Sequence, residues 1–247
     1  MEVRRSPKGR GSAGGSRVRA LLVLVTLVPA ILVPAILAPA GCSGPEPPGK
    51  EGGLPRVLII GDSISIGYTP HVTEALAGRA VVVHNPGNAQ HTATGLKELD
   101  GWLGDGRWDV IHFNWGLWDL CYKRSRFLRG SVRDREKGTV LVDLDRYEAN
   151  LAELTARLQK TGATLIWATT TVVPEGDAGR FPGDDLRYNE AAARVMRAAG
   201  VTVNDLNAAS REFPPELFVQ PGDVHFTDEG YRRLANHVSA AISEVLP

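Results

Sequence analysis

Five short apolar segments, separated by longer stretches with helical periodicity, constrain the fold of this chain more than any other feature. They are residues 56–61, 80–85, 109–114, 164–170 and 201–205. Most of them contain a nearly continuous run of apolar residues, as expected of strands buried on both faces of a sheet. Strands that alternate with helices favour a parallel sheet covered on both sides. We therefore expect an α/β fold, a three-layer α/β/α sandwich with a five-stranded parallel sheet in flavodoxin-like order.

The C-terminal segment gives the clearest helix signal. Thr227 is a suitable N-cap, and Asp228 and Glu229 are favourably placed in the first turn. The apolar residues that follow fall on one face of a helix. They are Tyr231, Leu234, Val238, Ile242 and Val245. Similar one-sided periodicity in 145–160 predicts another helix that packs on the sheet.

The N-terminus has the layout of an export signal, because a basic stretch precedes a long apolar run and the chain then turns polar. Ala40 and Gly41 before Cys42 resemble the lipobox of bacterial lipoproteins, although Pro39 stands where leucine is usual. Cys42 is thus the expected site of lipid attachment. Secretion without lipid, or an uncleaved membrane anchor, is the alternative.

The chain accordingly divides into three parts. Residues 1–41 are expected to be a signal peptide of lipoprotein type, 42–54 a flexible tether, and 55–247 one folded domain. Such a protein is exported to the cell envelope and held at the membrane. Residues 1–41 contain six of the 28 basic residues and one of the 28 acidic ones, so the remainder carries a formal charge of −5. This acidic body argues against binding to nucleic acid.

The segment Gly61-Asp62-Ser63 places a serine where the first strand ends and a helix should begin. Ligands of such sheets collect beyond the carboxyl ends of the strands. The helix start offers free backbone N–H groups that can hold an oxyanion. The hydroxyl becomes a nucleophile only if a histidine accepts its proton. The alternative is that Ser63 only caps the helix, and the G-x-S-x-G elbow is not met because Ser65 replaces its second glycine.

Three blocks of the sequence resemble the SGNH (GDSL-type) hydrolase family. The stretch LIIGDSISIG resembles the first block and implies Ser63 as nucleophile, with its backbone N–H in the oxyanion hole. VVHNPGNAQHT resembles the second, whose glycine, Gly87, adds a backbone N–H to that hole. DVHFTDEGY resembles the last, with His225 as general base. The resemblance covers about residues 55–246 and implies a serine esterase that needs no metal or organic cofactor.

The third block departs from the family pattern G-x-N-D. This chain has WGLWD, in which Gly116 and Asp119 match but Trp118 stands in place of asparagine. HFNWGLWD resembles a variant branch of the family, and Asn114 is expected to supply the missing amide to the oxyanion hole. The alternative is a buried asparagine bonded to neighbouring backbone.

The spacing of the last block also differs. The family pattern is Asp-x-x-His, but Gly222 occupies that position and Asp223 lies only two residues before His225. We expect Asp223 to orient the imidazole from a reshaped loop. A backbone carbonyl is the alternative.

Other residues near these blocks are candidates for a substrate pocket. Trp115 and Trp118 could stack on a sugar ring or an acyl chain, or could simply bury surface, and His91 is a third candidate. The basic segment 120–143 is expected to be an exposed insertion, more often a solvated loop than a site for an anionic substrate or anionic lipid. Cys121 is expected to be a lone thiol.

These features predict a serine esterase at the cell envelope. Its expected substrate is a small-molecule or carbohydrate ester, with O-acetylated carbohydrate mildly favoured by export and the two tryptophans. Two alternatives stay open: an O-acyltransferase acting on polysaccharide, and a catalytically silent carbohydrate-binding lipoprotein with the same fold.

Overall fold

The computed structural model describes residues 53–126 and 130–247. The predictions of a signal peptide, of a lipid on Cys42 and of most of the tether therefore lie outside the described residues. Within these two ranges, no helix has both the length and the apolar character needed to cross a membrane.

The strands form two sheets. In chain order they are β1 (Arg56–Ile60), β2 (Val81–His84), β3 (Val110–Phe113), β4 (Tyr122–Arg126), β5 (Gly130–Arg133), β6 (Thr139–Val140), β7 (Thr164–Ala168) and β8 (Thr202–Asn204). The larger sheet has five parallel strands in the order β2-β1-β3-β7-β8. This is the predicted flavodoxin-like order, in which β2 is added on one side of β1 and the later strands on the other side. This switch point creates a crevice at the carboxyl ends of β1 and β3.

Helices flank the larger sheet, as predicted. They are α1 (Ser63–Ala75), α2 (Thr92–Leu103), α3 (Leu144–Gln159), α4 (Asp184–Ala199), α5 (Leu206–Arg211) and α6 (Asp228–Val245), with a 3₁₀ turn at Pro215–Leu217. Helices α1 and α5 pack on α6, whereas α3 packs between α2 and α4. The predicted cap of α6 is confirmed, because the Thr227 hydroxyl accepts a hydrogen bond from the Gly230 N–H at 3.3 Å. Its stripe is buried at Leu234, Val238 and Ile242.

The expected exposed insertion is an ordered sheet over most of its length. Strands β5, β4 and β6 pair antiparallel in that order. The chain enters and leaves this small sheet at neighbouring positions, because the Leu141 N–H donates to the Cys121 carbonyl at 3.0 Å. It is tied to the loop before α4, because the Tyr122 N–H donates to the Gly179 carbonyl at 2.6 Å. The strands escaped prediction because their residues are charged rather than alternately apolar.

Candidate active site

Ser63 is the first residue of α1, directly beyond the carboxyl end of β1. The N-cap is Asp62, whose side chain accepts a hydrogen bond from the Ile64 N–H at 3.0 Å. The hydroxyl of Ser63 therefore does not cap the helix. Because the first N–H groups of a helix lack intrahelical acceptors, the Ser63 N–H lies beside a hydroxyl that is available for chemistry.

Three predicted residues meet in one hydrogen-bonded chain. Ser63 Oγ lies 2.9 Å from His225 Nε2. On the other side of the ring, His225 Nδ1 lies 2.6 Å from Asp223 Oδ1. The arrangement is consistent when Nδ1–H donates to the carboxylate and Nε2 accepts from the hydroxyl. This is the relation of nucleophile, base and orienting acid that acyl transfer requires.

The Asp223 carboxylate is held in its charged form. Burial raises its pKa, but hydrogen bonds donated by the backbone N–H and the ring of His225 outweigh that effect, with help from the charge of Arg133. The net result is a pKa below the usual aspartate value. An ionised Asp223 can then stabilise the imidazolium that forms during proton transfer.

The backbone at Gly222 explains why the acid stands two residues before the histidine. Gly222 has a φ of 74°, a conformation that favours glycine. A Cβ there would come within 2.9 Å of the Gly176 backbone, so no side chain fits at the position of the family aspartate. The loop instead turns at this glycine and brings Asp223 under the imidazole.

The loop after β2 is tied to the turn that carries Ser63. The side-chain oxygen of Asn85 accepts a hydrogen bond from the Gly61 N–H at 2.9 Å. Its amide nitrogen donates to the Pro86 and Gly87 carbonyls at 3.3 and 3.4 Å. Asn85 is buried, so it joins the two segments from which the Ser63 and Gly87 N–H groups are expected to bind an oxyanion.

Asn114 lies at the end of β3, but its amide is engaged by the neighbouring strand. Its Nδ2 donates to the Ala168 carbonyl at 2.7 Å and lies 3.5 Å from Thr170 Oγ1. Asn114 is also not among the residues that line the cleft beside Ser63. This geometry matches the alternative of an asparagine bonded to backbone. Its role in the oxyanion hole stays a prediction.

A cleft of about 190 Å³ opens beside the nucleophile. Its walls combine the catalytic candidates with one amide, one indole, one thiol and three cationic side chains. They are Ser63, Asn88, Trp118, Cys121, Lys123, Arg133, Arg180 and His225. A larger groove of about 620 Å³ lies between α3 and α4. It is remote from Ser63 and His225, so the chemistry belongs to the smaller cleft.

Two cleft residues were missed by the sequence analysis as functional candidates. Asn88 directly follows Gly87, and its Oδ1 accepts a hydrogen bond from the Gln90 N–H at 2.8 Å, which fixes the amide. Proximity to Gly87 is the signal that could have identified Asn88. Arg180 comes from the loop before α4, which matches no family block and gave no sequence signal.

The prediction that Trp115 lines the substrate pocket is wrong. Its side chain is 0% exposed, its Nε1 donates to the Ala89 carbonyl at 3.3 Å, and its ring stacks on Trp102. Trp115 therefore fills the core. Trp118 does line the cleft, where the Lys123 ammonium lies 4.4 Å from the centre of its ring.

Three other histidines and Cys121 have structural explanations. His91 is not in the cleft wall, in contrast to the prediction, because its Nδ1 accepts the Thr94 N–H at 3.2 Å and caps α2. His112 is fully buried, and burial lowers its pKa to about 3. His84 is partly buried and lies 2.7 Å from the Ser65 hydroxyl. Burial raises the pKa of the Cys121 thiol, so this cysteine is not activated.

Comparison with known proteins identifies the family of this chain. The family model for the GDSL-like lipase/acylhydrolase family matches residues 59–233. Among curated proteins, none matches the sequence significantly.

Solved structures of enzymes share the fold at low identity. A lipase/acylhydrolase from Enterococcus faecalis is 20% identical with a TM-score of 0.63, covering 78% of this chain and 98% of its own. The acetyl xylan esterase AlAXEase is 16% identical with a TM-score of 0.61, covering 76% and 99%. A variant of an acetyl xylan esterase from Geobacillus stearothermophilus is 18% identical with a TM-score of 0.60, covering 76% and 94%. The family model matches most of the length of this chain. The chain therefore belongs to the GDSL-like lipase/acylhydrolase family, the SGNH hydrolases, and is a carboxylic ester hydrolase.

Proposed function

We propose that this protein hydrolyses esters through an acyl-enzyme on Ser63. The single observation that carries the proposal is the hydrogen-bonded chain from Ser63 Oγ through His225 to Asp223, with 2.9 and 2.6 Å between the heavy atoms. Ser63 and His225 line a cleft of about 190 Å³, which is large enough for an acyl group and part of an alcohol.

In this mechanism Ser63 Oγ attacks the carbonyl carbon of the ester while His225 Nε2 accepts the hydroxyl proton. The tetrahedral intermediate collapses as His225 returns that proton to the leaving alcohol oxygen. A water molecule then gives its proton to His225 and attacks the acyl-enzyme. The second tetrahedral intermediate collapses as His225 returns this proton to Ser63 Oγ, which releases the carboxylic acid and restores the hydroxyl.

The oxyanion of each intermediate needs fixed donors. The Ser63 and Gly87 N–H groups are the first two. For the third, Asn114 is the donor expected from the sequence, whereas the cleft favours Asn88, which lies in its wall beside Ser63. The Nδ2 of Asn88 has no acceptor among the described residues, so it can donate to a substrate while Oδ1 keeps its bond to the Gln90 N–H.

We further propose an acetylated carbohydrate as substrate and the cell envelope as the place of action. Two acetyl xylan esterases share the fold, and the Trp118 ring offers a face on which a sugar can stack. The signal-like N-terminus supports export, and Ala40-Gly41-Cys42 supports attachment of a lipid.

Labelling with a fluorophosphonate probe tests the nucleophile without assuming a substrate. Wild-type protein should be labelled and should hydrolyse para-nitrophenyl acetate, and peptide mapping should place the label on Ser63. Ser63→Ala should lose both properties. Ser65→Ala is the matched control, since it removes a hydroxyl from the same helix, and it should still be labelled. Equal turnover by wild type and Ser63→Ala would refute the proposal.

A further inference from the structure

The cleft beside Ser63 is cationic. Lys123, Arg133 and Arg180 are in its wall, and the wall contains no acidic side chain. All three come from outside the family blocks, two from the antiparallel sheet β4–β6 and one from the loop before α4. The positive charge of this cleft therefore comes from segments outside the family blocks rather than from the catalytic residues.

Lys123 and Arg133 are directly opposite each other on β4 and β5. Opposite residues of an antiparallel pair share a face, and two like charges in such positions repel each other. Neither forms a salt bridge within the described ranges 53–126 and 130–247. Lys123 rests on the Trp118 ring, which attracts a cation but carries no net charge. This face of the sheet thus holds two adjacent cations without a salt bridge in the described ranges, although the charge of Arg133 also acts on the Asp223 carboxylate.

The opposite face of the same two strands contains an ion pair. Arg124, next to Lys123, pairs with Asp134 at 2.9 Å. Arg124 therefore has a salt-bridge partner in the described ranges, whereas Lys123 and Arg133 on the face beside the nucleophile have none.

Arg180 is fixed at the same cleft. Its side chain is only 5% exposed, and it binds Asp177 at 2.9 Å and the Leu117 carbonyl at 2.7 Å through Nη1 and Nε. These bonds leave Nη2 without an acceptor in the described part of the chain. The backbone links of Tyr122 to Gly179 and of Arg135 to Ala178 hold the sheet against this loop, at 2.6 and 2.9 Å.

We propose that the cleft binds an anionic group of the substrate, so that the preferred esters carry a carboxylate or another small oxyanion close to the scissile bond. Arg133 and Lys123 would bind that group between them, and the free Nη2 of Arg180 would donate a further charged hydrogen bond. This inference rests on the proposed function of Ser63, because it names the substrates of the same site. It makes β4–β6 the specificity-determining element.

Paired substrates test the proposal and locate the charge. On the alcohol side, 4-acetoxybenzoate is compared with its neutral methyl ester. On the acyl side, the mono-4-nitrophenyl ester of adipic acid is compared with 4-nitrophenyl hexanoate. For wild type, kcat/KM should be about tenfold or more higher for the anionic member of at least one pair, the size expected of hydrogen bonds to a charged group. The preference should weaken with added salt.

The variant Lys123→Gln/Arg133→Gln should lose most of that preference, measured as the ratio of the two kcat/KM values. Arg124→Gln is the matched control, because it removes a cation from the other face of β4, and it should keep the wild-type ratio. Calorimetry with Ser63→Ala gives a readout besides turnover, in which 4-acetoxybenzoate should bind more tightly than its methyl ester.

The outcomes separate this inference from the proposed function. Suppose that neutral esters are hydrolysed through Ser63, but that for each pair the ratio of anionic to neutral kcat/KM is the same in wild type and in the double variant. The anionic substrate class is then refuted and the esterase stands. If Ser63→Ala binds the anionic ester preferentially but wild type turns over no ester, the binding site stands and the esterase fails.

Discussion

Asp223 Oδ1 accepts two hydrogen bonds from His225, one from its backbone N–H at 3.0 Å and one from its Nδ1 at 2.6 Å. A carboxylate two residues before the histidine thus reaches both groups within one tight turn. The turn depends on Gly222, whose positive φ lets the chain reverse immediately before the acid. The shortened spacing is therefore compatible with an oriented imidazole.

Asp223→Asn should lower kcat for para-nitrophenyl acetate by about 10²–10⁴-fold, because an amide can stabilise neither the correct tautomer nor the imidazolium. The melting temperature should change little, since Asp223 is on a partly exposed loop. Asp228→Asn, at the exposed start of α6, serves as the control and should keep wild-type turnover. A rate for Asp223→Asn within a factor of three of wild type would leave the imidazole oriented by another group.

Asn88→Ala and Asn114→Ala should separate catalysis from stability. Asn88→Ala removes an amide from the cleft wall and should lower kcat by about 10²–10³-fold with an unchanged unfolding midpoint. Asn114→Ala leaves the Ala168 carbonyl without its donor and should lower the free energy of unfolding by about 1–3 kcal/mol. Turnover and urea unfolding of both variants decide the matter. The opposite pattern would assign the oxyanion role to Asn114.

Asp119 should make the stability of the protein depend on pH. Its Oδ1 accepts the Thr92 N–H and hydroxyl at 2.9 and 2.6 Å, but Oδ2 has no partner within the described ranges, and burial raises its pKa to about 7. The unfolded chain releases this proton near pH 4, whereas the folded chain keeps it up to about pH 7. The contribution of Asp119 therefore destabilises the fold progressively as the pH rises through that window and is constant above it.

Asp119→Asn cannot ionise, so it should remove this part of the pH dependence. The measurement is the free energy of unfolding at pH 5 and at pH 8, and the loss between the two should be smaller in the variant than in wild type. Asp105→Asn changes an exposed carboxylate in the same way and should keep the wild-type loss. An unchanged difference in Asp119→Asn would mean that Asp119 is ionised in the fold.

Two glycines of α2 should respond oppositely to alanine. A Cβ at Gly95 would come within 2.7 Å of the Trp115 ring, so Gly95→Ala should lower the free energy of unfolding by about 1–3 kcal/mol. A Cβ at Gly101 meets no atom within 4 Å. Gly101→Ala should therefore stabilise the helix by about 0.5–1 kcal/mol. Guanidinium unfolding of both variants checks the pair, and a stabilising Gly95→Ala would contradict the packing around Trp115.

The five-stranded sheet was predictable because its central strands β1, β3 and β7 are almost entirely buried, and burial on both faces requires apolar runs that can be recognised in the sequence. Ser63 and His225 were predictable because each lies in a block that resembles the SGNH hydrolases, at a point where a strand or loop gives way to a helix. Trp115 and Trp118 could not be told apart, since both are aromatic residues in one short loop. Which of them enters the core depends on contacts with Gly95 and Trp102 that come from a distant helix.

The charged face of β4–β6 was also beyond the sequence. Lys123 and Arg124 are neighbours of the same sign, and only the pairing register shows that one faces the cleft while the other meets Asp134. A shift of one residue would exchange the two faces. Arg180 joins them through tertiary contacts with a loop that carries no recognisable motif.

The closed stem of this small sheet has a practical consequence. One uninterrupted stretch leaves the scaffold after Cys121 and returns at Leu141, where the two are joined by a backbone hydrogen bond, and it contains neither the nucleophile nor the base. Substitutions within this stretch can therefore alter which molecules reach Ser63 and His225 while leaving these two reacting groups in place.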